Sequence, residues 1–220
     1  IPVMHDDQHG TAVVVTATLL NAAKATGIDL TKCVIGVVGL GAAGLALAKM
    51  LMFRFGRPVL GADIAPDALA RLKEAGGTPA DLAGIMAGCD VVIATTGVPG
   101  LIKKESVRRG QIVLALSNPD PEIDPEAARA AGAAFAADGR TVNNVLGFPG
   151  IFRGAVDADV PRITREMLMA AAEAIAAAAP PGQIVPDPLD KALHRSVARA
   201  VARVAVAQGL NRDDLTGYFD

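Results

Sequence analysis

The hydrophobic pattern changes character twice along the chain. From residue 11 to about residue 24, apolar positions recur at helical spacing, with Thr11 as a cap at the start and Gly27 as the closing residue. Short continuous apolar runs then take over, at residues 34–38, 58–62, 91–94, 111–116 and, more weakly, 133–136. Runs of that length without polar alternation suit strands buried on both faces. Helical patterns separate them: one running to about residue 55, one opened by Pro66, and a short one over residues 81–87. From residue 165 onward the pattern is helical only, in two stretches (165–179 and 189–207) on either side of a proline-rich break. Strands alternating with helices predict an α/β fold, a doubly wound parallel sheet with flanking helices, followed by C-terminal helices. The expected division is a sheet domain over residues 1–164 and helices over residues 165–220 packed on it.

Where the first apolar run ends, Gly39, Gly41 and Gly44 stand at the spacing G-x-G-x-x-G, with Leu40, Ala42 and Ala43 between them, and a helical pattern follows at once. Each glycine has a physical reason in a dinucleotide site. The first permits the tight turn, the second lets backbone approach a pyrophosphate, and the third lets the helix pack close to the strand. The free N–H groups of the helix start would hold the phosphates. The second run ends in Asp63 and Ile64, about 20 residues after the turn, where a carboxylate can accept hydrogen bonds from ribose hydroxyls. Thr95, Thr96 and Gly97 end the third run and either terminate a strand or line the ribose. These loops, with SNPDP and with NNVLGFPG after the weakest run, all follow strand candidates. They therefore fall on the carboxyl edge of the sheet, where ligands of such folds bind.

Composition removes several other classes. The chain has 220 residues with a net charge of -2, 3% aromatics and no Trp, so neither a phosphate-tracking basic surface nor a base-stacking platform is expected, and nucleic acid is not a partner. The only cysteines, Cys33 and Cys89, lie beside apolar runs without C-x-x-C spacing and read as free thiols in a reducing cytoplasm. The alanine-rich run at residues 167–179 carries Glu173 and meets Pro180, too short and too interrupted to cross a bilayer. Arg195, Arg199 and Arg203 recur every four residues opposite Val197, Val201 and Val204, the pattern of a solvated helix face. The apolar helical ends suit a homodimer.

The segment HDDQHG at residues 5–10 bears on chemistry. His5 and His9 at i and i+4 with Asp6 between them resemble a zinc-protease motif, but a proline-containing extended stretch precedes them, Gly10 follows, and Asp is one methylene shorter than the glutamate that mechanism uses. Adjacent carboxylates offer another reading. Asp6 and Asp7 project in different directions, so one can ligate a hard divalent cation while the other pairs with a base; alternatively one of them only caps the following helix. Asn118, in ALSNPDP, and the pair Asn143 and Asn144 can hydrogen-bond a carboxylate or carboxamide without adding charge, although asparagines are also ordinary turn residues.

Taken together, IPVMHDDQHGTA, VVGLGAAG, ATTGVPGLI, ALSNPDPEI and DGRTVNNVLGFPGIFRGA resemble, in order and over most of residues 1–195, the nucleotide-binding domain of the malic enzyme family. The resemblance implies a Rossmann-like fold and oxidative decarboxylation of L-malate to pyruvate and carbon dioxide, with reduction of NAD or NADP and with Mg²⁺ or Mn²⁺. It implies Asp7 as a metal ligand and Asp6 as the carboxylate that pairs with a catalytic lysine. Asn118 and Asn144 become contacts to substrate, with Asn118 and Asn143 also at the nicotinamide end, while residues 39–44, Asp63, Ile64 and Thr95 to Gly97 contact the dinucleotide. The family's tyrosine acid, lysine base and Glu-Asp pair of metal ligands lie upstream of the segment that opens this chain, so the 220 residues are expected to hold the cofactor half of an active site and to be inactive alone. Asp63, with no Arg or Lys directly after it, favours NAD. The alternatives are a non-catalytic dinucleotide-binding module and a metal-independent dehydrogenase of the same fold.

Overall fold

The computed structural model describes residues 1–219. Two compact units emerge, one formed by Ile1–Asn21 with the chain from Asn143 onward, the other by Ala22–Val142. These divisions fall elsewhere than the boundary near residue 164 suggested by the change in pattern. Helix α1 (Thr11–Thr26) starts in one unit and ends in the other, where Gly27 takes φ +73° and closes it.

The second unit contains the sheet. In chain order it runs β1 (Ile35–Val38), α2 (Ala42–Phe55), β2 (Leu60–Ala62), α3 (Pro66–Glu74), β3 (Thr78–Pro79), α4 (Leu82–Gly88), β4 (Val91–Ala94), β5 (Ile112–Ala115), α5 (Pro125–Ala130) and β6 (Phe135–Asp138). All pairings are parallel in the order β3-β2-β1-β4-β5-β6, with Val38 opposite both Ala62 and Ala94, and Ala115 opposite Ala94 and Asp138. The chain reverses its direction of winding at β1, next to β4, and this is the switch point at which such sheets open a crevice. Strands β1, β4 and β5 are buried at every residue, as continuous apolar runs predict. Val38, Val92, Ile85 and Val113 belong to one apolar core with the α4 side chain Met86 and with Cys89. Both thiols are free and buried.

Two elements of this unit carry no apolar run. Strand β3 is two exposed residues at the sheet edge. Helix α5 is six residues long and starts because Asp124 accepts a hydrogen bond from the Ala127 amide, with Pro125 in the first turn.

The first unit is helical. Asp6–Gly10 form a π-type turn that passes directly into α1, so Thr11 stands in helical backbone and does not cap it. A short 3-10 turn, Asn144–Leu146, leads into α6 (Phe148–Asp157), followed by α7 (Arg165–Ala178) and α8 (Lys191–Ala207). Helix α6 has no counterpart among the helical patterns read from the sequence, and it contains Pro149, Gly150 and Gly154, residues of low helix propensity. Its glycines have a packing role: a Cβ on Gly150 would come within 2.6 Å of the Val197 Cβ, and one on Gly154 within 2.9 Å of the Val201 Cβ. This close approach ties α8 to α6, which is why the C-terminal helices group with residues 143–164. Of the predicted stripe, Arg195 and Arg203 are exposed and Val197 and Val201 buried, whereas Arg199 and Val204 are half-buried. Among the described residues no helix is long and apolar enough to cross a membrane.

Candidate functional site

The glycine turn occupies the end of β1. Gly39 sits at φ +86°, and a Cβ there would come within 2.7 Å of the Thr95 carbonyl oxygen, so only glycine fits this turn beside the end of β4. A Cβ on Gly44 would overlap the Gly39 carbonyl oxygen and lie 2.8 Å from Thr95 Oγ1, which brings α2 directly onto the strand. Gly41 is different. It is exposed, at the N-cap of α2, and has no atom within 4 Å of where a side chain would start. The first amides of α2, at Ala42 and Ala43, have no acceptor within the helix, the feature by which helix starts bind anions.

Asp63 is fixed at the end of β2. Its Oδ2 accepts from the Leu40 amide at 2.6 Å and its Oδ1 from the Ala65 amide at 2.8 Å. Each oxygen keeps a lone pair, and neither can swing away without freeing a backbone donor. A cavity of about 800 Å³ opens between these groups, lined among others by Gly39, Gly41, Asp63, Ile64, Thr95 and Thr96. Ile64 is fully exposed at its rim, and Thr95 Oγ1 donates to the Gly39 carbonyl at 3.0 Å. The predicted Gly39, Gly41, Gly44, Asp63, Ile64, Thr95 and Thr96 are therefore brought together on the carboxyl edge of the sheet. Asn118 lies in the loop after β5, exposed, with its amide over Gly139; a Cβ on that glycine would come within 2.6 Å of Asn118 Nδ2.

A residue that sequence reading missed organises the loops after β4 and β5. Glu122 is completely buried. Its Oε1 accepts from the Thr96 amide at 2.6 Å, from Thr96 Oγ1 at 2.8 Å and from Ser117 Oγ at 2.5 Å, and its Oε2 accepts from the Ser117 amide at 3.3 Å. Nothing in the string SNPDPE marks this glutamate as buried, since it follows two prolines and an aspartate in a polar loop.

Asp6, Asp7, Asn143 and Asn144 belong to the other unit. Asn144 Nδ2 donates to Asp6 Oδ2 at 3.3 Å, and Thr11 Oγ1 donates to Asn144 Oδ1 at 3.2 Å. Residues 138 positions apart in sequence are thus joined. Asp6 Oδ1 is buried and has no hydrogen-bond partner. A Cβ on Gly10 would overlap that oxygen, so glycine here is what lets Asp6 turn inward. Asn143 uses its Oδ1 to accept from the Val145 amide at 3.0 Å, a local cap. Asp7 is exposed. The zinc-protease reading of HDDQH finds no support: His9 Nδ1 faces the His5 carbonyl oxygen at 3.1 Å, and among the described residues no three His, Cys, Asp or Glu side chains come together in a way that could hold a metal ion.

The chain is similar to known proteins along nearly its whole length. Residues 136–208 match the family model described as malic enzyme, NAD binding domain. Residues 6–102 match another described as D-isomer specific 2-hydroxyacid dehydrogenase, NAD binding domain. The chain is 56% identical over 207 residues to NAD-dependent malic enzyme 1 of Bacillus subtilis, an overlap covering 94% of this chain and 47% of that protein. It is 37% identical to the NADP-dependent malic enzyme of Halomonas elongata, over 100% of this chain and 61% of that one. The crystal structure of a malic enzyme from Pyrococcus horikoshii superimposes with a TM-score of 0.89 at 36% identity, covering 97% of this chain and 57% of the other. The chain spans about half the length of the curated relatives it matches.

Proposed function

We propose, for a chain that belongs to the malic enzyme family and corresponds to its nucleotide-binding domain, that it supplies the dinucleotide site and part of the acid-base machinery for oxidative decarboxylation of L-malate to pyruvate and carbon dioxide. The observation that carries the reading is Gly41, open on all sides at the start of α2 and facing a cavity whose other wall holds the pinned carboxylate of Asp63. When bound, the dinucleotide supplies a nicotinamide that accepts hydride from the substrate.

The chain's own residues have separable roles in this reading. The turn from Gly39 to Gly44, with Leu40, Ala42 and Ala43, holds the pyrophosphate on backbone amides. Asp63 accepts from the adenosine ribose hydroxyls, and Ile64, Thr95, Thr96 and Gly97 cover that half of the cofactor. Because two amides pin both oxygens of Asp63, it cannot turn aside for a 2′-phosphate, and this supports NAD over NADP. Asn118, with an exposed amide, meets the nicotinamide end and the substrate; Asn143 serves the cofactor and Asn144 the substrate. Asn144 also holds Asp6 by one oxygen, leaving the other free to pair with a catalytic lysine, whose ammonium would satisfy that orphaned acceptor.

The metal fits this chain less well than the dinucleotide. Asp7 offers one exposed carboxylate, and the described residues contain no cluster to complete a coordination sphere. Asp7 is therefore proposed as one ligand of a Mg²⁺ or Mn²⁺ site that needs carboxylates from outside these 220 residues.

Malate-dependent NADH formation and carbon dioxide release, assayed with Mn²⁺ in the enzyme that carries this chain, test the proposal; no turnover with either NAD or NADP rejects it. The 220 residues alone are expected to bind NADH without turning over malate, and efficient turnover by them would overturn the assigned division of residues. The second reading is a dinucleotide-binding module without chemistry. Asp7→Asn separates the two, since only in an enzyme does it abolish metal-dependent turnover.

A further inference from the structure

We infer that Glu122 is a positioning residue that locks the loop after β4 to the loop after β5 at the spacing a dinucleotide requires. The hydrogen bonds fix the direction of every donor. Thr96 Oγ1 accepts from the Val98 amide at 3.1 Å and Ser117 Oγ accepts from the Gly97 amide at 2.8 Å, so the single hydrogen of each hydroxyl is left to point at Glu122. All four groups around the carboxylate are therefore donors, and it is used only as an acceptor.

The same join extends along the backbone. The Gly100 amide donates to the Pro121 carbonyl at 3.1 Å, and the Ile102 amide to the Glu122 carbonyl at 2.9 Å. The amides of Thr96, Gly97 and Val98 are consequently spent inside the protein and are not available to a phosphate. On this side the cleft contributes shape and spacing, and the anion-binding amides are those of the glycine turn. Thr96 and Val98 line the cavity beside Asp63, whereas Ser117 precedes Asn118. A ligand touching only the adenosine side senses one loop; a ligand reaching Asn118 senses the distance between two. This inference rests on the dinucleotide reading of the cleft.

The test compares NADH with AMP on the 220-residue chain by titration calorimetry. Glu122→Met, similar in length but without acceptors, is expected to weaken NADH about tenfold and AMP less than about twofold. Glu122→Gln can keep its carbonyl oxygen toward Thr96 and the Ser117 hydroxyl while its NH₂ opposes only the Ser117 amide, so it should recover NADH binding to within about threefold of wild type. Should Glu122→Met fail to fold, Ser117→Ala removes one bridging hydroxyl and is expected to cost NADH about threefold with AMP unchanged. Equal losses for the two ligands, or no loss of NADH, overturn the positioning role. Wild-type protein that binds AMP but not NADH rejects the dinucleotide reading itself, and the inference with it.

Discussion

The cleft in the sheet unit and the Asp6 segment in the helical unit differ in how far their polar groups are satisfied. In the cleft the carboxylates of Asp63 and Glu122 are already satisfied, the first by two amides and the second by four donors, and the hydroxyls of Thr95, Thr96 and Ser117 bond within the protein. Around Asp6 one oxygen is held by Asn144, the other is buried without a partner, and Asp7 faces solvent. A buried acceptor left unpaired costs about 1–3 kcal/mol, and more when it is charged. In the function proposed above, the first region is a ligand site with its polar groups already set, and the second is a site that takes a donor from elsewhere in the enzyme. Substitutions should therefore cost stability and binding together in the cleft, but turnover alone near Asp6.

The largest effect expected from this contrast is at Asp6. Asp6→Asn in the enzyme carrying this chain should lower malate turnover by about 10²-fold or more, while the melting temperature of the 220 residues changes little; a parallel collapse of stability would show that Asp6 is structural. Next comes Gly44→Ala. Its methyl would overlap the Gly39 carbonyl, so the variant should lose about 1–3 kcal/mol of stability by chemical denaturation and all measurable NADH binding. Retention of both would mean that the turn is looser than its geometry states. Gly41→Ala, in contrast, meets no atom and should cost about 1 kcal/mol or less while weakening NADH about tenfold. Loss of stability without loss of affinity there would break the assignment of Gly41 to a ligand.

A smaller effect separates the two units by pH. Burial, followed by the nearby Asp90 carboxylate, pushes the Cys89 thiol from 9.0 up to about 11. Burial, followed by its hydrogen bond to Asp157, pushes the Tyr218 hydroxyl from 10.0 up to about 12. Both groups are neutral when protonated, and folding raises both pKa values, so the stability they contribute is fully present at neutral pH. It is lost above pH 9.0 as the pH approaches 11 for the sheet unit, and above 10.0 toward 12 for the helical unit. For Cys89 the loss amounts to roughly 2–3 kcal/mol at most. Thermal melts between neutral pH and pH 11 should fall accordingly, and Cys89→Ala should flatten the early part of the decline; an unchanged slope would assign the loss to other groups.

How much of this was readable in the sequence depended on whether a residue's role is local. Gly39, Gly41, Gly44 and Asp63 could be found because turn, helix start and strand end are contiguous, and the buried strands because burial on both faces writes an uninterrupted apolar run. Strand β3 and helix α5 could not, since one is two exposed residues and the other is specified mainly by the cap at Asp124. Helix α6 was hidden because Gly150 and Gly154 answer to a partner helix more than 40 residues away, and propensity rules read them as breaks. The link between Asp6 and Asn144 and the burial of Glu122 share that long-range origin. Such residues announce themselves only when the chain has folded.

Ile64 standing bare at the cavity rim, with Val98 about half exposed nearby, has a calorimetric consequence. A nucleoside laid against them would withdraw apolar surface from ordered water, and heat capacity registers that withdrawal whether the net enthalpy of binding is large or small. NADH binding should thus become more exothermic with rising temperature, and Ile64→Asn should reduce that slope modestly; an unaltered slope would place the ligand away from this rim.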